Sequence, residues 1–369
     1  MRTFSLLLIA VLLGSCQTQN EQQSAAPKNA LTKLQVSLDS LFNAEIKTDE
    51  PGAALMISFE NELVVAKGYG LRDVENQLPI TPSTNLRMAS VSKQFTALSI
   101  MRLIDDGKLS LSDSVNRLFP SETFKHVTVE QLINHTSGRA DAENAFFEEW
   151  DRSKTPTNKD ILDWYLAEDR SIDRPGEKYI YNNGIYEFIP MIVEKLSGEG
   201  FAQFAKQEIF DKAGMDRTNF FSLANPIEIE ERAYCYQRDD KGEWQKVDGH
   251  FLNGLVGAGG LYTSVNDYFA YDQALRNKAL FTAETHDLIF KPSSSYIDEG
   301  VERYYAMGWG VTDTTARHTG GWFGTNTLTK RYLKKPLSYA IFMNRNTLFS
   351  SGLAQKTDSI ITVFLASVE

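Results

Sequence analysis

Strand-forming segments lie at both ends of this chain, far apart in sequence, and this arrangement constrains the fold more than any other feature. Near the N-terminus, AALMISF and LVVAKGYG flank the turn residues Glu60-Asn61-Glu62, which predicts a β-hairpin. Near the C-terminus, YYAMGWGVT, NTLTKRYL and LSYAIFMNR also have strand character. Because unpaired strands are unstable, we expect both ends of the chain to form one antiparallel sheet flanked by helices, an α+β fold.

Helical periodicity fills much of the remaining sequence. Apolar residues from Leu31 to Phe42 recur at helical spacing, and a long helix is predicted from about residue 90 to Gly107. Further helical runs between residues 108 and 250 are broken by proline and glycine. We therefore expect an α/β part formed by residues 31–107 and 251–369, with a mostly helical insert at 108–250.

The first residues, MRTFSLLLIAVLLGSC, combine one basic residue with an apolar run too short to span a bilayer, as in an export signal. The run ends at Cys16 in a sequence that resembles a bacterial lipoprotein box. We expect residues 1–15 to be a signal peptide, Cys16 to carry a lipid anchor, and residues 16–30 to be a flexible tether. The protein would then lie in a bacterial cell envelope, facing the periplasm or the cell surface. An ordinary signal peptide with a chance cysteine is the alternative.

Charge and cysteine content narrow the classes of partner. The formal net charge of -10 disfavours nucleic acid, which needs a basic surface. Cys235 is the only other cysteine, so we expect no intramolecular disulfide in the mature chain and a buried, unreactive thiol. The sequence contains no metal or nucleotide motif, and we expect neither a metal nor another cofactor.

Ser90-Val91-Ser92-Lys93 opens the long predicted helix. Three residues apart on a helix, Ser90 and Lys93 share one face. A serine hydroxyl is hardly ionised at neutral pH, and a lysine one turn away can take its proton. The pattern favours a nucleophilic serine, although a chain of this length contains about one such tetrapeptide by chance. A capping serine beside a solvated lysine is the alternative.

Tyr181-Asn182-Asn183 follows a Pro-Gly turn in the predicted helical insert. A tyrosine hydroxyl beside a lysine can relay protons between a serine and a leaving group. Asn183 offers two donors and an acceptor to a substrate amide. A tyrosine that only packs in the core is the alternative for Tyr181.

His318-Thr319-Gly320-Gly321 precedes the last predicted strands. Glycines on an edge strand let a substrate backbone approach closely. His318 and Thr319 can then orient a carboxylate or an acyl group, while the main-chain N–H of Gly321 pairs with that of Ser90 to hold an oxyanion. A glycine-rich turn with an incidental histidine is the alternative.

Ser-x-x-Lys, Tyr-x-Asn and His-Thr-Gly in this order resemble the motifs of the serine β-lactamase and penicillin-binding protein superfamily. LRMASVSKQFTAL, INHTSG, PGEKYIYNNGIY, GAGGLYTSVNDY and HTGG are similar to the class C β-lactamase branch. That branch also holds D-alanyl-D-alanine carboxypeptidases, D-amino-acid amidases and β-lactamase-like esterases. The resemblance covers about residues 35 to 365 and implies the β-lactamase/transpeptidase fold.

The resemblance also implies roles. Ser90 would be the acylated nucleophile, Lys93 its base or electrostatic activator, Tyr181 the proton relay and Asn183 the amide-binding residue. His318 stands where class C β-lactamases carry a lysine, and a histidine is mostly neutral at neutral pH. The resemblance therefore implies a weaker hold on an antibiotic's carboxylate than in those enzymes.

The expected function is hydrolysis of an amide or ester through an acyl-enzyme on Ser90. The substrate would be a small molecule or a peptide, such as a peptidoglycan-derived D-amino-acid peptide or a small ester. A β-lactamase, a penicillin-binding sensor lipoprotein without turnover and a purely structural envelope protein are the alternatives. Residues 139–175 and 222–250 are expected to shape substrate selectivity, and the oligomeric state is left open.

Overall fold

The computed structural model of the protein describes residues 28–368. The predicted signal peptide, Cys16 and most of the predicted tether lie outside the described residues. The first helix begins at Lys28, three residues before Leu31, where the sequence predicts that the folded part starts. The tether boundary was therefore placed too late, because the turn that precedes Leu31 is polar and lacks the apolar period of the rest of the helix.

The α-helices of the described chain are α1 (Lys28–Glu45), α2 (Ser92–Asp105), α3 (Val115–Leu118), α4 (Val129–Ile133), α5 (Ala142–Glu149), α6 (Asn158–Ala167), α7 (Asn183–Ser197), α8 (Phe201–Ala205), α9 (Asp211–Ala213), α10 (Val265–Arg276), α11 (Ala283–Leu288) and α12 (Leu353–Val368). Short 3₁₀ turns occupy Ala89–Val91 and Phe251–Gly254, and a π-helical turn, Lys206–Phe210, joins α8 to α9.

The β-strands of the described chain are β1 (Ala53–Phe59), β2 (Glu62–Tyr69), β3 (Leu71–Asp73), β4 (Leu78–Pro79), β5 (Leu86–Arg87), β6 (Asn219–Phe220), β7 (Tyr236–Arg238), β8 (Trp244–Lys246), β9 (Leu261–Thr263), β10 (Ser295–Asp298), β11 (Val301–Ala306), β12 (Trp309–Val311), β13 (Thr315–Trp322), β14 (Thr325–Tyr332) and β15 (Leu337–Met343).

One large sheet joins the two ends of the described chain. Its eight strands lie in the order β10-β11-β12-β13-β14-β15-β1-β2, and neighbouring strands are antiparallel. The N-terminal hairpin pairs with the C-terminal strands through β1 and β15, from Ala53 opposite Met343 to Phe59 opposite Leu337. The predicted α+β fold with a shared antiparallel sheet is confirmed.

The predicted hairpin turn explains how β1 and β2 meet. Glu60 and Asn61 both have positive φ, 51° and 65°, as a two-residue type I′ turn requires. Asparagine accepts this conformation more readily than most residues because its short polar side chain can bond locally. The backbone twist of a type I′ turn matches the right-handed twist of the two strands, so residues close in sequence are sufficient to favour this hairpin.

The sheet separates two apolar cores, and β1 contributes to both. Ala54 and Met56 join the core that also contains α2, α7 and α10, whereas Leu55 and Ile57 join the core beneath α1 and α12. Alternate side chains of a strand point to opposite faces, so a strand buried on both faces is apolar throughout, as AALMISF is. The face shared with α2 and α7 carries the predicted site.

Residues 108–250 contain α3 to α9 and the short strands β6 to β8. Helix α7 packs against α2 across the larger core. Tyr181 and Asn183 are thereby brought to the N-terminal end of α2. Within residues 28–368, no helix is both long enough and apolar enough to cross a membrane.

Candidate active site

Ser90 lies in a tight turn at the start of α2. The 3₁₀ turn Ala89–Val91 leads directly into the helix, and Met88 N–H donates to the carbonyl of Leu261 at 2.9 Å. Ala89 has a φ of +46°, which an L-residue adopts at a cost of roughly 1–3 kcal/mol. The surrounding packing therefore holds the residue before Ser90 in a strained conformation that aims the serine at the open cleft.

Lys93 is fully buried one turn behind the serine. Its ammonium donates to Ser90 Oγ at 3.3 Å, to Asn183 Oδ1 at 2.6 Å and to the carbonyl of Ala258 at 3.1 Å. Three acceptors thus fix Nζ in place, each from a different part of the chain. Ser90, Lys93 and Asn183 therefore lie together, as the sequence predicts.

The start of α7 fixes Asn183. Asn182 caps the helix by accepting from Ile185 N–H at 2.8 Å, and its own amide donates to the carbonyl of Arg139 at 2.8 Å. Asp141 accepts from Asn183 N–H at 2.9 Å. A carboxylate at a helix N-terminus is stabilised by the helix dipole, so Asp141 and Asn182 together hold this end of α7 beside Lys93.

Tyr181 borders the same cleft and is about one-third exposed, at 38%. Its ring lies 4.4 Å from the ring of His135, and Lys93 Nζ lies 4.8 Å from its centroid. The face of the Tyr181 ring therefore contacts the Lys93 ammonium in a cation–π interaction. The sequence had predicted a contact through the tyrosine hydroxyl instead. Packing on the buried His135 orients the ring in this way.

Strand β13 carries the third motif beside the serine. It pairs with β12 only at Ala316 and Arg317, but with β14 over its whole length. From His318 onward its other edge is free to face the cleft, as predicted for an edge strand. A Cβ on Gly320 would come within 2.6 Å of the carbonyl oxygen of Met88 and 2.3 Å of Thr327 Oγ1. Only glycine lets this strand approach the turn that precedes Ser90.

His318 is buried and uncharged. Burial lowers the pKa of its imidazole to about 3, and the nearby charges of Lys93 and Arg317 add to the effect. Nδ1 lies 2.6 Å from the carbonyl of Thr319, so Nδ1 carries the proton, and Nε2 then accepts from the hydroxyl of Tyr305 at 3.3 Å. The third motif offers hydrogen bonds but no fixed positive charge.

Three cavities surround the serine and the strand. The histidine-side cavity, about 280 Å³, is lined by Ser90, Tyr179, Tyr181, Tyr296, Asp298, Tyr305, Arg317, His318, Thr319 and Gly321. The carboxyl-side cavity, about 40 Å³, is lined by Arg87, Ala89, Ser90, Glu143, Asn183, Glu187, Leu252, Leu255, Ala258, Gly259, Gly321 and Trp322. The aromatic cavity, about 450 Å³, is lined by Glu143, Asn144, Phe147, Gln237, Leu252, Trp322, Phe323 and Asn346. Ser90 and Gly321 border the first two, which is where an oxyanion held by their N–H groups would lie.

Sequence reasoning missed several residues of this site. Glu143 accepts from Asn183 Nδ2 at 2.8 Å, and Glu187 lies beside it on α7. Tyr305 bonds to His318, and the carbonyl of Ala258 holds Lys93. The signal that could have revealed Glu187 is a glutamate amid the otherwise apolar run of YEFIPMIV, because a charge on a core-facing helix position needs a partner or a purpose.

Cys235 is buried, and burial raises the pKa of its thiol above its ordinary range, so it is an unreactive apolar residue as expected. Residues 28–368 contain no cluster of three or more His, Cys, Asp or Glu able to hold a metal ion.

A profile of the β-lactamase family matches residues 37–358. The chain belongs to the β-lactamase family. Among curated relatives, penicillin-binding protein 4* of Bacillus subtilis is 28% identical over 341 residues, which cover 88% of this chain and 75% of that protein.

Solved structures agree with this family membership. A penicillin-binding protein homologue of Pyrococcus abyssi is 26% identical, with a TM-score of 0.73 and coverage of 88% of this chain and 77% of the other. D-amino acid amidase of Ochrobactrum anthropi is 20% identical, with a TM-score of 0.76 and coverage of 92% and 99%. These neighbours share the β-lactamase/transpeptidase fold, and the family as a whole supports a serine hydrolase.

Proposed function

We propose that this β-lactamase family member is a serine acyl hydrolase that forms a covalent acyl-enzyme on Ser90, and that its substrate is an amide or ester of a small molecule or peptide. The observation that carries the proposal is the position of Lys93 Nζ, buried between Ser90 Oγ and Asn183 Oδ1. A buried ammonium bonded to a serine hydroxyl is costly as structure alone and useful for moving a proton.

In the proposed reaction, Ser90 Oγ attacks the substrate carbonyl carbon, and Lys93 in its uncharged amine form takes the serine proton. The Tyr181 hydroxyl makes no hydrogen bond to Lys93 in this structure, so it must turn towards the amine to relay that proton to the leaving nitrogen or oxygen. The N–H groups of Ser90 and Gly321 hold the negatively charged oxygen of the tetrahedral intermediate. Asn183 offers its amide to an amide of the acyl group. A water molecule then attacks the acyl-enzyme, which releases the acid and restores the serine.

The histidine-side cavity favours a substrate that does not depend on a fixed cation. A neutral His318 donates and accepts hydrogen bonds but cannot pair with a carboxylate as a lysine would. Arg317, which also lines this cavity, is already paired with Asp298 at 2.8 Å and Glu299 at 3.0 Å. We therefore place peptidase, amidase or esterase activity ahead of efficient β-lactam hydrolysis.

A panel of substrates tests the proposal. The protein from residue 28 onward would be incubated with a D-alanyl-D-alanine peptide, a D-amino-acid amide, a short-chain ester and a cephalosporin, beside Ser90→Ala. Turnover of at least one amide or ester, abolished in the variant, supports the proposal. Stoichiometric acylation without turnover would instead indicate a penicillin-binding sensor, and equal behaviour of the two proteins with every compound would indicate a structural role.

We further propose that Cys16 is lipidated after removal of residues 1–15 and that the enzyme is tethered to a bacterial envelope membrane. Its substrate would then be a peptidoglycan-derived peptide or another small envelope molecule. The support is the leader-like sequence and the cysteine at its end. Metabolic labelling with an alkynyl fatty acid should mark the wild-type protein and not Cys16→Ser. Equal labelling of both would contradict the anchor.

A further inference from the structure

Helices α1 and α12 leave an open groove between them. The two helices pack against each other over the core that also contains β1 and β15, and a cavity of about 480 Å³ remains along their contact. Its apolar lining comes from Ala30, Leu34, Ile360, Val363 and Phe364. Val363 is 72% exposed, the highest exposed fraction of any large apolar side chain in the described chain. The groove is therefore an apolar surface that no described part of the chain covers.

The surface around the groove carries basic side chains and no acidic ones. We define the α1–α12 face as residues 28–38 of α1 and 359–368 of α12, the parts of the two helices that contain the groove-lining residues. This face contains Lys28 and Lys33 and no acidic residue, although the whole chain has a net charge of -10. An apolar surface with basic side chains beside it is typical of proteins that bind the surface of an anionic membrane.

The acidic residues nearest to the α1–α12 face along the two helices are already neutralised. Asp39 follows the face on α1 and forms an ion pair with Lys67 at 2.7 Å. Asp358 precedes the face on α12 and forms an ion pair with Lys330 at 2.7 Å. Neither carboxylate therefore cancels the positive charge of the two lysines on the face.

The proposed lipid anchor would hold this face close to a membrane. Lys28, the first residue of α1, lies twelve residues after Cys16. Even a fully extended chain of that length spans at most about 40 Å, whereas a folded domain of this size is about 50 Å across. The start of α1 is therefore the part of the folded domain that the anchor keeps nearest to the bilayer.

Two other occupants fit the groove less well than a bilayer. Residues 17–27, QTQNEQQSAAP, contain no large apolar side chain that could fill it. A second copy related by two-fold symmetry would bring the same face opposite itself, so that Lys28 and Lys33 of the two copies would repel one another. A bilayer instead offers hydrocarbon to the groove and phosphate groups to the lysines.

The large sheet lies between the α1–α12 face and the candidate active site. Leu34 and Phe364 belong to the core on one side of the sheet, beneath α1 and α12. Ser90 and Lys93 lie where α2 begins, and α2 packs in the core on the other side of the sheet. A bilayer in contact with the α1–α12 face would therefore be separated from Ser90 by the sheet.

We propose that the α1–α12 face lies against the surface of an anionic phospholipid bilayer, with Val363 among the lipid chains and Lys28 and Lys33 at the headgroups. The inference rests on the proposed lipidation of Cys16, and it narrows the source of the substrate for the proposed hydrolase. With the sheet between Ser90 and the membrane, the enzyme acts on molecules or peptides of the aqueous space and not on substrates held in the bilayer.

Vesicle binding tests the face without the anchor. The chain from residue 17 onward, which lacks Cys16, would be sedimented with vesicles of equal parts phosphatidylethanolamine and phosphatidylglycerol, and with vesicles of phosphatidylcholine. We expect binding to the anionic vesicles to be about tenfold stronger, because each lysine near an anionic surface strengthens binding. Val363→Asp and Lys33→Glu should each weaken binding to anionic vesicles about tenfold. Ile297→Asp, at a side chain on β10 that is 70% exposed, is the matched control and should leave binding unchanged.

A second measurement uses the lipidated protein. An environment-sensitive fluorophore would be attached through Val363→Cys, or through Ile297→Cys as the control, in protein inserted into anionic vesicles. Cys235 is buried and stays unlabelled. Spin-labelled lipids should quench the fluorophore at position 363 and not the one at position 297, because only the first lies among the lipid chains.

No preference for anionic vesicles, equal binding of the wild type and Val363→Asp, or equal quenching at the two labelled positions would each overturn the membrane contact. A dimer in solution that Val363→Asp dissociates would also overturn it, because the face would then be an interface between copies of the chain. Turnover of a soluble ester is measured separately. Its absence beside normal vesicle binding would overturn the hydrolase at Ser90 and leave the membrane contact intact.

Discussion

The two cavities that meet at Ser90 differ in what they can offer a substrate. The histidine-side cavity is wide and rich in tyrosine, and its charged groups are paired with one another through Arg317 and Asp298. The carboxyl-side cavity is small and is lined by two glutamates, Glu143 and Glu187, and by Arg87. The first cavity offers mainly tyrosine hydroxyls and a neutral imidazole, whereas the second offers carboxyl groups and the side-chain amide of Asn183.

The two cavities therefore place two unlike sets of side chains around one serine. Ser90 and Gly321, on the free edge of β13, line both cavities, and Lys93 is buried directly behind Ser90. The other lining residues differ between the two cavities. Substitutions of the shared residues should therefore reduce turnover of every substrate. Substitutions of residues that line one cavity should alter only substrate selectivity or the pH dependence of stability.

The largest effect is expected from Lys93→Met, which keeps the volume of the side chain and removes the nitrogen. Loss of a general base lowers kcat by about 10² to 10⁴-fold. The measurement is kcat for the best substrate of the panel, with the exposed Lys159→Met on α6 as the control. A decrease of less than tenfold would show that Lys93 is not part of the shared machinery.

Gly320→Ala should destabilise the packing of β13 against the turn that precedes Ser90, which both cavities border. The added methyl group would meet the Met88 carbonyl and Thr327, so β13 or the turn before Ser90 must move. Overpacking of this kind costs about 1–3 kcal/mol in the free energy of unfolding. At Gly321 the nearest atom to a new Cβ, on Asn326, is 3.5 Å away, so Gly321→Ala is the matched control. Equal urea unfolding midpoints for the two variants would refute the close approach.

Glu187→Gln tests the pH dependence of the carboxyl side. Burial raises the pKa of Glu187 above 4.5, the carboxyls of Glu143 and Asp141 raise it further, and Lys93 opposes them. A raised folded-state pKa gives stability that is complete below the unfolded value and is lost as the pH rises. The variant should therefore gain stability relative to the wild type above pH 4.5, by up to about 1.4 kcal/mol per pH unit. Urea unfolding at several pH values measures this difference, and a flat difference would contradict it.

His318→Asn should change the pH dependence of stability in the opposite direction to Glu187→Gln. The folded pKa of about 3 lies below the ordinary value of 6.5, so the unfolded chain binds a proton at mildly acidic pH that the folded chain excludes. The stability contributed by the neutral histidine is complete above pH 6.5 and is lost as the pH falls towards 3. The variant should gain stability relative to the wild type below pH 6.5, with the same limiting slope. His135 has the same sign but is present in both proteins.

The smallest effect is expected from His318→Lys, which adds a fixed cation to the histidine-side cavity. A favourable contact with a ligand carboxylate is worth about 1.4 kcal/mol, or tenfold in rate. The acylation rate with a carboxylate-bearing penicillin, divided by that with a neutral ester, should rise about tenfold. A ratio that does not change would mean that a carboxylate on this side does not reach residue 318.

Much of the fold and the centre of the site could be predicted because the signals are local. The apolar run of β1, the turn at Glu60 and Asn61 and the serine at the start of α2 each depend on neighbouring residues. The His-Thr-Gly motif was placed on an edge strand from its glycines, although the strand β13 itself was not identified as a separate element.

Contacts between distant parts of the chain could not be predicted. The Glu143–Glu187 pair joins two helices that only the fold brings together, and the ring-face contact of Tyr181 depends on packing against His135. The polarity of the cleft likewise depends on burial, which sets the neutral state of His318. Residues 139–175 and 222–250 were expected to shape selectivity, and Glu143, Phe147 and Gln237 from these segments line the aromatic cavity.

The central claim, that Ser90 is the acylated nucleophile, is tested most directly by identifying the residue that a covalent probe modifies. The protein would be treated with a fluorophosphonate, digested, and its peptides analysed by mass spectrometry. The account predicts one equivalent of label on Ser90 and none in Lys93→Met or Ser90→Ala over the same time. A label on another serine, or a wild-type protein that stays unmodified, would contradict it.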